Sequence, residues 1–321
     1  MSVDVKKIYN PFLFVMICLF FIGAFYYLNS HPQVFTLLSE TKISFILALL
    51  ACHMLLFCTL AVTHKIALKK HKINIYFNEW FGLYVTSEMI NSFLPAKSGS
   101  SIRLLYLKDK KGLSLKTILN MSFVILFIGM TFLGFGGLLY IYLGLSKNHP
   151  LYNIIEAIFI SICLSGFILL VLSKGLSRLI KNNRRSHTLT YLKDKKVLAP
   201  ILGCWILVFM LYPLKTFLSF QALGITITIS QSFEMGIILT LISFFNVIPG
   251  NIGIKEAVTA YLGNQYGINV EVALMASLLD RATMLVLLLP FGLYFYWHLL
   301  LDGMSPFLFF ARPKRLEQTS P

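Results

Sequence analysis

Six apolar runs, each long enough to cross a bilayer, constrain this chain more than any other feature. They are Pro11–Leu28, Ile43–His64, Lys116–Gly144, Leu151–Leu172, Val197–Leu218 and Glu271–Leu300. A hydrocarbon core of roughly 30 Å needs about 20 helical residues. Only helices and closed barrels satisfy their backbone in lipid. A barrel would show alternating segments of about ten residues, whereas these runs are continuous. Only 13% of the 321 residues are charged and 57% are hydrophobic, against about 25% charged in a soluble domain. The expected class is an all-α polytopic membrane protein.

The net charge of +15 raises nucleic acid as a partner, but its distribution argues against it. Of 28 Lys and Arg, 23 fall in segments that the positive-inside rule assigns to one side. These are the N-terminus, 65–72, 97–116, 174–196 and the C-terminal tail. The remaining loops, 29–42, 145–150 and 219–230, hold Lys42, Lys147 and none. A basic face of this kind suits anionic lipid, at about 1 kcal/mol per cation near the surface. The first run lacks a clear small-residue cleavage site and reads as an uncleaved anchor. The five cysteines lie inside apolar runs without metal-like pairing, and neither a metal nor a cofactor is expected.

A proline-glycine turn occurs twice. Leu94-Pro95-Ala96-Lys97-Ser98-Gly99 is followed by Arg103 and Gly112; Ile248-Pro249-Gly250-Asn251-Ile252-Gly253 is followed by Lys255, Glu256 and Gly267. Pro95 and Gly99 fall on Pro249 and Gly253 at an offset of 154. Basic loops flank 77–94 on both sides, so the charge count favours a re-entrant hairpin over a full span, and Glu79, Thr86, Ser87, Glu88, Asn91 and Ser92 also make that stretch a poorer span. The second hairpin then enters from the opposite face. Three spans lie between them, so the copies are inverted. The reading is about six spans plus two opposed re-entrant helical hairpins, in one integral membrane domain over 1–321. Its first half is 1–172, with a hairpin near 77–112. A cytoplasmic linker covers 173–196. The second half is 197–302, with a hairpin near 231–267, and 303–321 is a cytoplasmic tail. Both termini are cytoplasmic. The competing reading makes each turn an interfacial corner between an amphipathic helix and a span.

Broken apolar segments at matching positions of two halves point to a substrate site at the repeat interface. A charge at the bilayer centre costs about 2.5–3.5 kcal/mol, so it faces a cavity or a partner. The candidate binding residues are Lys97, Arg103, Lys215, Lys255, Glu256, Asp280 and Arg281. Helix N-termini after the two turns would add N–H groups for phosphate. Arg103 can grip phosphate bidentately; Lys97 and Lys255 act as point charges. Arg281 is expected to bind a lipid phosphate. Asp280, its sequence neighbour, needs a separate cation, with Lys215 and Lys255 as the choices. Lys215 either lines a cavity or snorkels outward. Pro95, Gly99, Pro249, Gly250 and Gly253 are the structural turn residues. His53 and His64 read as core histidines. The glycines at 129, 134, 136 and 137 read as close helix contacts.

The second copy, Pro249-Gly250-Asn251-Ile252-Gly253-Ile254-Lys255-Glu256-Ala257, with Gly267-Ile268 and Asp280-Arg281, resembles the signature of the lysylphosphatidylglycerol synthase transmembrane family, also called flippase-like proteins. Leu94 to Gly99 with Arg103 is similar to that family's first motif. The resemblance covers nearly the whole chain. It implies a multi-span fold and a role in moving lipid-linked headgroups between leaflets. Three departures stand out. No fused aminoacyl-transferase domain is expected, Ala96 replaces a glycine, and Ile125 and Leu126 stand where the first half of such proteins often carries an acidic-arginine pair.

Two functions from different classes follow. One is flippase-like translocation of anionic or glycosylated lipid headgroups across a bacterial inner membrane, without catalysis. The alternative is a membrane-embedded enzyme, or an accessory subunit, of lipid-linked glycan or phospholipid modification. The expected partners are membrane lipids, either anionic phospholipid or polyprenyl-linked glycan. A lipid-modifying enzyme and a second copy of the chain are the candidate protein partners.

Overall fold

The computed structural model of the protein describes residues 41–71, 73–94, 97–144, 152, 156–157, 159–166, 168, 194–244 and 248–301. The run Pro11–Leu28, most of Leu151–Leu172, most of the linker 173–196, the tail 303–321 and Pro95 lie outside the described residues. The described residues are helical, with no strand among them.

The helices, in order, are α1 Ile43–Lys69, α2 Phe77–Phe93, α3 Gly99–Lys111, α4 Leu115–Gly144, α5 Lys195–Ala222, α6 Ile229–Phe244, α7 Ile254–Gln265 and α8 Val270–Tyr296. A 3-10 turn, Pro249–Asn251, joins α6 to α7, and a π-helical turn, Trp297–Leu301, extends α8. Among the described residues, four helices are long and apolar enough to cross a membrane: Ile43–Lys69, Leu115–Tyr142, Lys195–Ala222 and Val270–Leu299. They coincide with four of the six apolar runs.

The order long, short, short, long occurs twice, α1–α4 and α5–α8, offset by about 150–155 residues. The two long leading helices run antiparallel: the Lys42 N–H, before α1, donates to the Ala222 carbonyl at the end of α5, 3.1 Å. At about 1.5 Å per residue, the short helices measure roughly 18–26 Å, less than a bilayer core.

The first pair, α2 and α3, is pinned at both ends. At the tip the Gly99 N–H donates to Asn91 Oδ1, 2.8 Å. At the base Glu79 accepts from the Tyr106 hydroxyl, 2.9 Å, and pairs with Lys111, 2.6 Å. Gly99 has no substitute, because a Cβ there would stand 2.0 Å from the Ser87 carbonyl oxygen. The two turns share one backbone feature. Among the described residues Lys97 (φ 51) and Asn251 (φ 52) are the left-handed non-glycine residues, each two positions after its proline. Each costs roughly 1–3 kcal/mol, so the turns are held by what surrounds them. Gly112 (φ 65) and Gly267 (φ 75) then end the two short pairs in the same left-handed state.

The tips meet at the centre. Gly250 lies against Ser92, where a Cβ would come within 3.0 Å of its carbonyl oxygen. Lys97 Nζ stands 5.8 Å from the Phe244 ring centroid. The surroundings of the two pairs differ. Along α2 and α8 the packing is close, with Met89 on Gly292 and Phe81 edge-on to Phe295, 5.9 Å. The corresponding helices α6 and α4 meet where the Tyr140 hydroxyl donates to the Ser230 carbonyl, 2.8 Å, and part around a cavity further on. Small residues on α4 admit large partners: Trp205 fills the space at Gly129, Phe209 at Gly136 and Phe159 at Gly137.

Gly99→Ala is expected to destabilise the protein by about 1–3 kcal/mol, the usual cost of overpacking. Gly203→Ala, where a Cβ meets nothing within 4 Å, should be neutral or stabilise by up to about 1 kcal/mol. Thermal unfolding of both variants in detergent checks this, and equal melting temperatures would contradict it.

Candidate functional site

Two polar clusters are buried in the bundle. The first lines a cavity of about 410 Å³ bounded by α1 to α6, within the size range of ligand sites. α1 contributes His64; α2 contributes Tyr84, Glu88 and Asn91; the turn and α3 contribute Lys97 and Arg103; α5 contributes Tyr212. Tyr84, Glu88 and Asn91 lie at i, i+4 and i+7, which puts them on one helix face. Asn91 donates to Glu88, 3.2 Å. Among the described residues neither Lys97 nor Arg103 has a carboxylate within 4 Å. Both are half-buried. A desolvated cation lacking a close counter-ion is the physical recipe for an anion site.

The second cluster lies on the far side of Tyr212. Lys215 sits over the Tyr212 ring, 5.1 Å from its centroid. Its ammonium pairs with one oxygen of Asp280, while His53 Nε2 meets the other at 3.1 Å. Three helices, α1, α5 and α8, therefore converge on one carboxylate. His53 and His64 are 11 residues apart on α1, so the clusters are separated by roughly 16 Å along its axis.

The neighbouring Arg281 points the other way. Its Nε donates to Glu256 Oε1, 2.7 Å, and its Nη1 and Nη2 donate to the Gly250 and Asn251 carbonyls, 3.0 and 3.4 Å. Glu256 Oε2 accepts the Gly253 N–H, 2.7 Å. Arg281 is 9% exposed, and this one guanidinium ties α8 to the second turn and to the start of α7.

The base of the first pair carries its own ionic lock. Burial pushes the Glu79 carboxyl up, but hydrogen bonds from Lys111, the Tyr76 N–H and Tyr106, with the Lys111 charge, outweigh it and hold Glu79 below its ordinary value.

The sequence-derived candidates therefore separate into three places. Lys97 and Arg103 face the cavity. Lys215 and Asp280 pair with each other; Glu256 and Arg281 pair with each other. Asp280 takes Lys215 as its partner rather than Lys255, which stays within electrostatic reach of both pairs. Glu88, Asn91, Tyr84, His64 and Tyr212 were not among the candidates. The signal for Glu88 and Asn91 is the polarity of α2, which in the sequence counts only as evidence against a span. His53 carried no signal, because its partner is 227 residues away.

A family model described as lysylphosphatidylglycerol synthase TM region matches residues 12–292. The chain belongs to this family. Membership makes it an integral membrane protein with a role in membrane-lipid modification or translocation. No curated protein and no solved structure matches the chain. The family match spans both turns and both clusters, so the cavity and the ion pairs lie wholly within the lysylphosphatidylglycerol synthase transmembrane region.

Replacing Arg281 by Met leaves Glu256 buried without its cation, which costs about 3–5 kcal/mol. The double variant R281M/E256Q should recover part of that loss. Thermal unfolding in detergent reads both, and an R281M protein that melts like the wild type would contradict the clamp.

Proposed function

We propose that this protein is a flippase-like translocator of phosphate-bearing anionic lipid headgroups, without catalytic chemistry. In this reading it works in a bacterial inner membrane with both termini cytoplasmic. The pairs α2/α3 and α6/α7 are re-entrant hairpins of an inverted repeat. The reading rests on one observation above the rest: Arg103 and Lys97 face a cavity bounded by α1 to α6 with no carboxylate within 4 Å among the described residues.

Several features support the hairpins. The short helices are too short to cross alone. Irregular backbone at membrane depth is tolerated where it is buried in protein or lines a cavity, and here the turns meet tip to tip. The repeated helix order, the antiparallel α1 and α5 and the matched left-handed residues support inversion.

The mechanism follows from the unequal packing of equivalent pairs. An inverted repeat with one tight interface (α2 with α8) and one parted interface (α6 with α4) has a mirror state in which the two exchange. A headgroup enters the cavity with its phosphate on Arg103 and Lys97 and its hydroxyl or amine groups on Glu88 and Asn91. The tails remain in lipid past Phe123, a half-exposed cavity residue of α4. Closure of α4 on α6 with opening of α2 from α8 presents the headgroup to the other face. The Lys215–Asp280 and Arg281–Glu256 pairs seal that face until then. The same chemistry accepts an anionic glycerophospholipid or a polyprenyl-phosphate-linked glycan.

A charge-assisted hydrogen bond is worth about 1.5–3 kcal/mol. Arg103→Ala should therefore slow headgroup movement at least about tenfold, and Arg103→Lys should slow it less. Transbilayer movement of fluorescent phosphatidylglycerol in proteoliposomes is the measurement. An unchanged rate in R103A would contradict the site.

A further inference from the structure

We infer that Asp280 is a proton-binding site, and that headgroup movement through the cavity is coupled to movement of a proton. This inference rests on the transport reading above and supplies its driving force.

The argument begins with a shared counter-ion. Asp280 holds Lys215 on one oxygen and His53 on the other. Lys215 also lies 5.1 Å from the Tyr212 ring, whose other surroundings include the cavity. Tyr212 therefore stands between the ammonium and the cavity in which a phosphate would sit. Lys215 is the cation for which the bound anion and Asp280 compete.

With the cavity empty, Lys215 belongs to Asp280 and the pair is neutral. When a phosphate arrives, its field draws the ammonium toward Tyr212. Asp280 is then a half-buried carboxylate with only an imidazole close by, Lys255 lying farther off. A single unpaired ion in a bundle interior is strongly unfavourable, and a carboxylate in that position takes up a proton. The proton comes from the aqueous phase open to the site, and a carboxylic acid replaces the carboxylate. His53, 2% exposed and 3.1 Å away, is placed to deliver it. When the headgroup leaves, Lys215 returns and Asp280 gives up the proton on the side then open. One anionic headgroup and one proton have moved together, and no net charge has crossed.

The other groups around Asp280 are consistent with this assignment. From α1 it faces Cys52 as well as His53, and from α5 it faces Tyr212 as well as Lys215. From α7 it faces Lys255, whose other carboxylate neighbour, Glu256, is held by Arg281. Arg281, on its own helix, is engaged with that carboxylate and two carbonyls. Glu88 of α2 stands beyond Tyr212, on the cavity side. Asp280 is therefore the carboxylate in this group whose cation has somewhere else to go.

The test uses the full-length protein in proteoliposomes with a trace of fluorescent phosphatidylglycerol and a pH gradient of about one unit, acidic inside. One pH unit is 1.36 kcal/mol per proton, a tenfold change in an equilibrium. The expected result is about a tenfold excess of probe in the outer leaflet, which faces the alkaline side. Protein-free vesicles under the same gradient set the baseline. A pH-sensitive dye inside should record about one proton leaving per probe lipid. Asp280→Asn should abolish the asymmetry, and His53→Gln should weaken it several-fold. If the wild type moves the probe but leaves it evenly distributed under the gradient, proton coupling is overturned and the transport reading survives. If the probe does not move with or without a gradient, the transport reading falls and the inference falls with it. Full asymmetry in D280N overturns the assignment to Asp280. Should D280N not fold, the dye signal and H53Q still decide: a proton count near zero, or an undiminished response in H53Q, overturns the proposal.

Discussion

Two turns break helices in apolar surroundings, and their peptide groups must find partners inside the protein. That requirement organises the whole bundle. An unsatisfied buried backbone group costs several kcal/mol in hydrocarbon, so each turn is met by a dedicated side chain. Asn91 takes the Gly99 N–H of the first turn. At the second, Glu256 takes the Gly253 N–H while Arg281 takes the Gly250 and Asn251 carbonyls. The tips then rest on each other, with Gly250 against Ser92. Neither turn is plausible without the other, because each supplies part of the other's shelter from lipid.

The two halves solve the same problem with different chemistry, and the difference creates the site. In the second half an arginine from the long helix locks the turn. At the corresponding place in the first half, α4 carries Ile125 and Leu126, and both line the cavity. The cations of the first half, Lys97 and Arg103, consequently share the cavity with Glu88 and have no carboxylate within 4 Å among the described residues. One half is braced by buried charge pairs and the other keeps its charge available. An ion pair braces a turn only while it remains intact, so in the proposed transport cycle the face carrying Lys215–Asp280 and Arg281–Glu256 opens only when those pairs part.

Much of this was legible in the sequence. Long apolar runs gave the spans, because helix length must match bilayer thickness. Pro-Gly spacing gave the turns, and Gly99, Gly112, Gly250 and Gly267 all sit where close approach or a left-handed backbone requires glycine. Sequence also brought forward Lys215, Glu256, Asp280 and Arg281, since charge in an apolar run demands an explanation. What it could not supply was pairing. Arg281 beside Asp280 in sequence suggests one site, yet adjacent helical positions point about 100° apart, and each residue joined a different cluster. Glu88 and Asn91 were visible only as polarity that weakened a span. Their meaning depends on α4, α5 and α6 closing around that face, which no local pattern reports.

The account depends on the hairpins entering from opposite faces. Lys108, at the base of the first, and Asn264, at the base of the second, are both exposed. In a protein freed of its native cysteines, K108C and N264C can each be labelled with a membrane-impermeant thiol reagent in sealed vesicles of known orientation. The account predicts that the two sites label from opposite sides of the membrane. Labelling of both from the same side would contradict it.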